Sequence, residues 1–357
     1  MPILTTLLAF YLLVLTSARK NLIVDTDLFS DCDDAGALLL AATSPEVNLL
    51  GVNINSESSY SVLAASAILD HYGKSHVPIG ARRHLNDVPF FDNWSKRLGE
   101  YASKLATHWP KAMTKAEDAW DAVALYRKLL FEAEDGSVTI ASVGFLHNLS
   151  GLLNSTADAQ STLTGPELVE AKVKELVVMG GDYPDGYEFN FWGDNPYEAA
   201  HVINNWKGPV VYAGSSLGGS VHSGGPLMAD GPKTDPVRAA YIFYTYYQPR
   251  WSFDPIALLY VVNGVDKYFE FGNKCGFNTI EVQDGRKGRN IWVFDESVRN
   301  QHWLSASVSY EEIGEEIDRL FLQGAKSSKR SSDPIGTLPQ LGNCRPAEEV
   351  PSGKSEL

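Results

Sequence analysis

Residues 21–34 read Asn21-Leu22-Ile23-Val24-Asp25-Thr26-Asp27-Leu28-Phe29-Ser30-Asp31-Cys32-Asp33-Asp34. An apolar run ends in Asp-x-Asp, and an Asp-Asp pair heads a second apolar stretch, Ala35-Gly36-Ala37-Leu38-Leu39-Leu40. The pattern predicts a strand over 21–26 and a helix over 33–42. Five carboxylates fall within these residues, and a helix cap accounts for one of them. Gathered in a fold they repel, and burial leaves them largely protonated unless a cation compensates. Ca2+ takes about six to eight oxygen ligands, whereas Zn2+ favours His and Cys, so the cluster points to Ca2+.

Outward from this stretch, short β-rich runs alternate with longer helical patterns. Strands are predicted at 47–53, 76–80, 137–143, 175–179 and 209–213, and helices at 60–72, 119–132 and 196–205. Such alternation predicts one α/β domain with a mostly parallel central sheet flanked by helices. Ligands of these sheets sit at the carboxyl ends of the strands, where the polar clusters fall. The segment 84–109, rich in charge, aromatics and turn residues, reads as an insertion or mobile loop near the site. Residues 324–357 are rich in Ser, Pro and Gly and read as a disordered tail, which leaves 19–323 as the folded domain.

The formal net charge of −14 argues against nucleic acid as a partner, because phosphate binding needs clustered Lys and Arg. The first eighteen residues carry no charged side chain and end in Thr16-Ser17-Ala18. They read as a secretory signal peptide, too short for the roughly 20 residues of a membrane span, and no later stretch predicts stable membrane association. Three glycosylation sequons fit that route: Asn93-Trp94-Ser95, Asn148-Leu149-Ser150 and Asn154-Ser155-Thr156. The cysteines, Cys32, Cys275 and Cys344, are odd in number and make no disulfide framework. Cys275 with Cys344 is the expected pair, since Cys32 lies in the acidic stretch. The final Lys354-Ser355-Glu356-Leu357 loosely echoes an ER-retention signal. A homo-oligomer is left open.

The acidic stretch resembles the aspartate signature of the nucleoside hydrolases of the inosine-uridine preferring type. Downstream segments resemble that family in the same order: Val143-Gly144-Phe145-Leu146-His147-Asn148-Leu149, Val177-Val178-Met179-Gly180-Gly181, Glu188-Phe189-Asn190, Asp194-Asn195-Pro196-Tyr197-Glu198-Ala199-Ala200 and Phe253-Asp254-Pro255. The resemblance implies Ca2+-dependent hydrolysis of the N-glycosidic bond of a ribonucleoside, giving free base and ribose. It implies Ca2+ ligation by Asp27, Asp34, Asp254 and the main-chain carbonyl of Val143, with Asp27 also taking a proton from the attacking water. It further implies that Asp33 meets the ribose 2′-hydroxyl and that Glu188 and Asn190 hold the sugar, including its 5′-hydroxyl.

Several positions depart from the family pattern. Residues 28–32 form a longer connection than the family's short Pro-Gly turn, which leaves Asp31 and Asp33 as alternatives for one role. Asp182 falls near a sugar-contacting asparagine, and Asn55 is the nearest counterpart of an early one; both are candidate substrate-binding residues. Phe253 stands where the family often carries a His that protonates a leaving purine. Either another group acts there, such as Tyr247 or a water lined by Trp251, or the base leaves without strong protonation. That change also supports a second reading, a secreted Ca2+- and ribose-binding protein of the same fold without turnover. A phosphatase of the haloacid dehalogenase type shares the strand and Asp-x-Asp. There, however, Phe29 replaces the expected Thr or Val, and the later segments go unexplained.

Overall fold

A computed structural model describes residues 19–29, 31–89 and 99–328. Along the strand Lys20–Thr26, Leu22 and Val24 join one hydrophobic layer and Ile23 the other. Such two-sided burial suits the middle of a parallel sheet. The strand pairs in parallel with Val47–Ile54 on one side and Val138–Ser142 on the other. The full sheet runs Phe269–Phe271, Gln301–Ala306, Val210–Ala213, Val173–Met179, Val138–Ser142, Lys20–Thr26, Val47–Ile54, Ile79–Ala81, Trp120–Asp121. Its neighbours are parallel, except that the edge strand Phe269–Phe271 is antiparallel.

The first described strand lies at the centre of this sheet; from it the chain moves to one edge, then returns to Val138–Ser142 on that strand's other flank. The carboxyl ends of Lys20–Thr26 and Val138–Ser142 therefore flank a topological switch point, where sheets of this kind bind ligands. Asp27 and Val143 are the residues that follow those two ends.

Helices cover both faces. Asp33–Thr43, Ser59–His71, Pro236–Thr245, Phe253–Asn263 and Tyr310–Ser327 bury residues in one layer. Ala122–Glu132, His147–Asn154, Gly165–Lys172 and Pro196–Asn205 bury theirs in the other. The expected fold class, a mostly parallel sheet flanked by helices in a single domain, is the one observed. Pro196–Asn205 has the bounds its sequence signals predict: the Asn195 side chain accepts from Tyr197 N at 3.1 Å, and Pro196 takes the first turn.

Elsewhere the expectations need correction. The helix foreseen from 119 starts at Ala122, because Trp120–Asp121 forms the sheet edge and the Asp121 carboxylate caps Ala124 N at 3.0 Å. The segment 84–109 contains a helix, Ala102–His108, that buries Leu105. Helix Tyr310–Ser327, begun by a Ser309–Glu312 capping box, runs past the boundary drawn at 323 and buries Gly324 and Ala325. A three-stranded antiparallel sheet of Phe277–Gln283, Lys287–Val293 and Asp185–Tyr187 was not foreseen. The leader 1–18, the Asn93 sequon, Cys344 with its pairing to Cys275, and Lys354 to Leu357 lie outside the described residues. Among the described residues, no helix is long and apolar enough to cross a membrane.

Candidate active site

The first strand delivers two aspartates in different settings. Asp25 is fully buried and accepts from Tyr126 Oη at 2.7 Å, Asn55 Nδ2 at 2.5 Å and Asn148 Nδ2 at 3.2 Å. Burial pushes its carboxyl up to about 6, against the pull of those three hydrogen bonds. Asp27 lies just past the strand end and is also buried. Burial pushes Asp27 up to about 7; a hydrogen bond with Asp34 opposes this, and the charges of Asp31 and Asp33 add to it.

Leu28 turns the chain sharply, with a φ of 42° that a branched residue rarely adopts. Its N–H donates to Asp34 Oδ1 and to Thr26 Oγ1, each at 3.1 Å, and the Thr26 hydroxyl donates to the same Asp34 oxygen. Asp33 and Asp34 occupy the first turn of helix Asp33–Thr43, where the helix dipole favours negative charge. Helix Phe253–Asn263 brings Asp254 to the cluster, its N–H donating to Asp33 Oδ2 at 3.2 Å.

Asp33, Asp34 and Asp254 are held well above the usual carboxylate range, first by burial and then by one another and Asp31. Carboxylate oxygens of Asp31, Asp33 and Asp34 lie within 4.8 Å of one another. Asp33 Oδ1 is buried without a hydrogen-bond partner, and so is the hydroxyl of Tyr101, which sits in the field of Asp34 and Asp27. Orphaned acceptors among mutually repelling carboxylates fit a hard cation, and these residues could hold a metal ion.

The strand Val138–Ser142 supplies the opposite wall. Val143 N donates to the Asp25 carbonyl at 2.7 Å. Gly144 passes so close to the first strand that a Cβ there would stand 2.5 Å from Asp27 N and 2.8 Å from Asn55 Oδ1. Asn55 is a brace at this point: its Nδ2 serves Asp25, and its Oδ1 accepts from Phe145 N at 3.1 Å. Glu188 is buried and accepts from Asn190 N at 3.0 Å and Gly181 N at 3.3 Å. Burial lifts it to about 7, and the charge of Asp31 adds to the rise. Asn190 Nδ2 donates to Met179 O at 3.2 Å.

Asp31, the alternative to Asp33, is paired with Arg250 at 2.6 Å and is partly exposed. Asp182 follows Gly181, whose N–H donates to Glu188. Its Oδ1 accepts from Ser216 Oγ at 2.5 Å, and it lines a cavity of about 230 Å³ with Tyr183, Gly214, Trp303 and Tyr310. Tyr247 is largely exposed.

Sequence reading missed Arg250, Tyr101 and Tyr126. None stands in a motif, and each reaches the cluster from a distant segment. His147 Nδ1 meets Glu198 Oε2 at 2.7 Å, and their donor atoms lie within 4.8 Å of one from Asp194, which Arg82 binds at 2.6 Å. The sequon at Asn148 is corrected: its amide is buried against Asp25, out of reach of glycosylation, whereas Asn154 is exposed.

The fold and the cluster together define a doubly wound α/β protein with a buried group of carboxylates at its switch point that could hold a metal ion. The family described as inosine-uridine preferring nucleoside hydrolase matches residues 22–312, and the chain belongs to that family. An inosine-uridine preferring nucleoside hydrolase of Leishmania major is 31% identical over 206 residues, 56% of this chain and 61% of that protein. Another, of Crithidia fasciculata, is 28% identical over 264 residues, 68% of this chain and 79% of that protein. The matched stretch is thus less than two thirds of the Leishmania protein's length. A plant nucleoside hydrolase shares the fold with a TM-score of 0.65 at 17% identity, covering 87% of this chain and 99% of that one.

Proposed function

We propose that this chain hydrolyses the N-glycosidic bond of ribonucleosides, giving free base and ribose, with Ca2+ held by Asp27, Asp34, Asp254 and the Val143 carbonyl. The observation that carries this reading is the buried carboxylate cluster at the switch point, with Asp33 Oδ1 unpartnered. Bound Ca2+ would offset the cluster's charge, polarise the attacking water and engage the ribose hydroxyls.

The chain's own residues do the rest. Asp27 accepts the proton of the attacking water as its oxygen bonds C1′, a role suited to a buried carboxylate just past the end of the first strand, beside the proposed Ca2+. The C1′–N bond breaks and its electron pair leaves with the base. Asp33, more buried than Asp31 and with one carboxylate oxygen lacking a hydrogen-bond partner, takes the 2′-hydroxyl. Glu188 and Asn190 hold the 5′ end, and the summed negative field steadies a sugar turning oxocarbenium-like. Asn55 acts one step back by bracing Asp25, and Asp182, on the wall of the cavity it shares with Tyr183 and Trp303, is a further candidate contact for the substrate.

A panel of nucleosides assayed for reducing sugar, with Ca2+ and with chelator, tests the reading. Release of ribose that chelator stops supports it. Ca2+-dependent retention of nucleoside with no free base released would replace it with the binding-protein reading. The secretory route is likewise a proposal, resting on residues 1–18 and the exposed Asn154. N-terminal sequencing after eukaryotic expression should begin at Arg19.

A further inference from the structure

We propose that Arg250 is a catalytic residue of this reaction, its guanidinium meeting the departing base; the proposal rests on nucleoside hydrolysis as the activity. Arg250 begins a two-residue strand, Arg250–Trp251, that pairs antiparallel with His222–Ser223 and leads directly into Asp254. Its Nη2 donates to Asp31 Oδ2 at 2.6 Å, which seats a permanent cation against the acidic cluster. Its guanidinium carbon lies 4.9 Å from the Trp251 ring centre, 5.3 Å from that of Tyr244 and 5.8 Å from that of Phe253. Stacking of this kind suits the planar, weakly hydrated guanidinium and holds it in one place.

Two further features point at a leaving base. Arg250 Nε is buried without a hydrogen-bond partner, so the fold leaves one guanidinium donor uncommitted. Trp251 is half-exposed, and Phe253 is backed by Gly218, where a Cβ would come 2.4 Å from the Phe253 ring. Aromatic faces beside the cluster suit a flat heterocycle, while the carboxylates suit its ribose.

The chemistry needs such a group. When the C1′–N electron pair leaves with the base, negative charge gathers on ring nitrogens and carbonyl oxygens. Phe253 has no proton to give and Arg250 does not surrender its own. Arg250 therefore stabilises the base anion by charge and hydrogen bonding; the anion takes a proton from solvent water, and Asp27 returns to solvent the proton it took from the attacking water, so no net proton is gained or lost. Asp31 is the positioning residue, contributed by the long connection 28–32.

The test compares kcat/KM for inosine with that for p-nitrophenyl riboside, whose leaving group is already stable. Loss of one such donor is worth about 10²–10³-fold. Arg250→Met should lose that much on inosine and at least about tenfold less on the activated riboside. Arg250→Lys should return part of the inosine rate, because it keeps the charge. Asp31→Asn, which loosens Arg250 but leaves the stacked side chain in place, should shift the substrate ratio the same way by less. Equal losses on both substrates in the Arg250 variants, or an unchanged ratio in both Arg250→Lys and Asp31→Asn, would overturn the role of Arg250 alone. An unmodified protein that cleaves neither substrate overturns the nucleoside-hydrolase reading, and this proposal with it.

Discussion

The main-chain N–H of Asp254 donates to Oδ2 of Asp33 at 3.2 Å, joining residues 221 positions apart. This bond docks the start of helix Phe253–Asn263 onto the start of helix Asp33–Thr43. It brings a fourth buried carboxylate to Asp27, Asp33 and Asp34. The cluster is thus a product of tertiary packing between two helix N-termini, both of which favour negative charge.

Removing one carboxylate while keeping its shape should therefore empty the site without unfolding it. Asp34→Asn and Asp254→Asn should each abolish tight Ca2+ binding in calorimetric titration and stop ribose release, with far-UV circular dichroism unchanged. Unaltered Ca2+ affinity in Asp34→Asn would show that the cation is held elsewhere.

The proposed engagement of both ribose hydroxyls would make the sugar a specificity element. Sites built around a hydroxyl reject analogues that lack it, so 2′-deoxynucleosides should show kcat/KM at least about 100-fold below their ribonucleosides. Comparable values for the pair would contradict placement of the 2′-hydroxyl against Asp33.

The buried carboxylates also couple stability to pH. Asp27, Asp33, Asp34 and Asp254 all titrate above their unfolded values, chiefly through burial. The stability they contribute is full below an unfolded value of about 4 and is lost as pH rises through the folded values, about 7 for Asp27. In chelator, the protein should melt at a lower temperature at pH 8 than at pH 5, and Ca2+ should raise the melting temperature more at pH 8. Asp34→Asn should flatten this dependence, which separates the cluster from surface carboxylates. Equal melting temperatures at both pH values in chelator would mean that the cluster is solvated.

Asp25 depends on three donors. Tyr126→Phe leaves one side of a buried carboxylate unsatisfied and should cost about 1–3 kcal/mol in urea unfolding, with the sheet intact. A neutral substitution would place Tyr126 outside the support of the site.

The parallel sheet was legible because its strands are buried on both faces and its helices carry local start signals. Asn195 with Pro196 marks one helix start, whereas the Ser309–Glu312 capping box, equally local, was not read as one. Turn chemistry that went unread was present too: Asp284 and Gly285, with φ of 51° and 66°, close the hairpin between Phe277–Gln283 and Lys287–Val293. Asp-Gly favours such turns.

What the sequence alone determined is the switch-point strand, the acidic stretch after it and the oxygen-only chemistry, because carboxylates crowded along a few residues remain crowded in any fold. Tertiary structure decided which oxygens are buried, that Asp31 pairs with Arg250 while Asp33 keeps an unpartnered oxygen, and that Asn148 faces Asp25 instead of solvent. The reason is physical. Residue type sets what a side chain can donate or accept, but burial and partners some 100–200 residues away set whether it does.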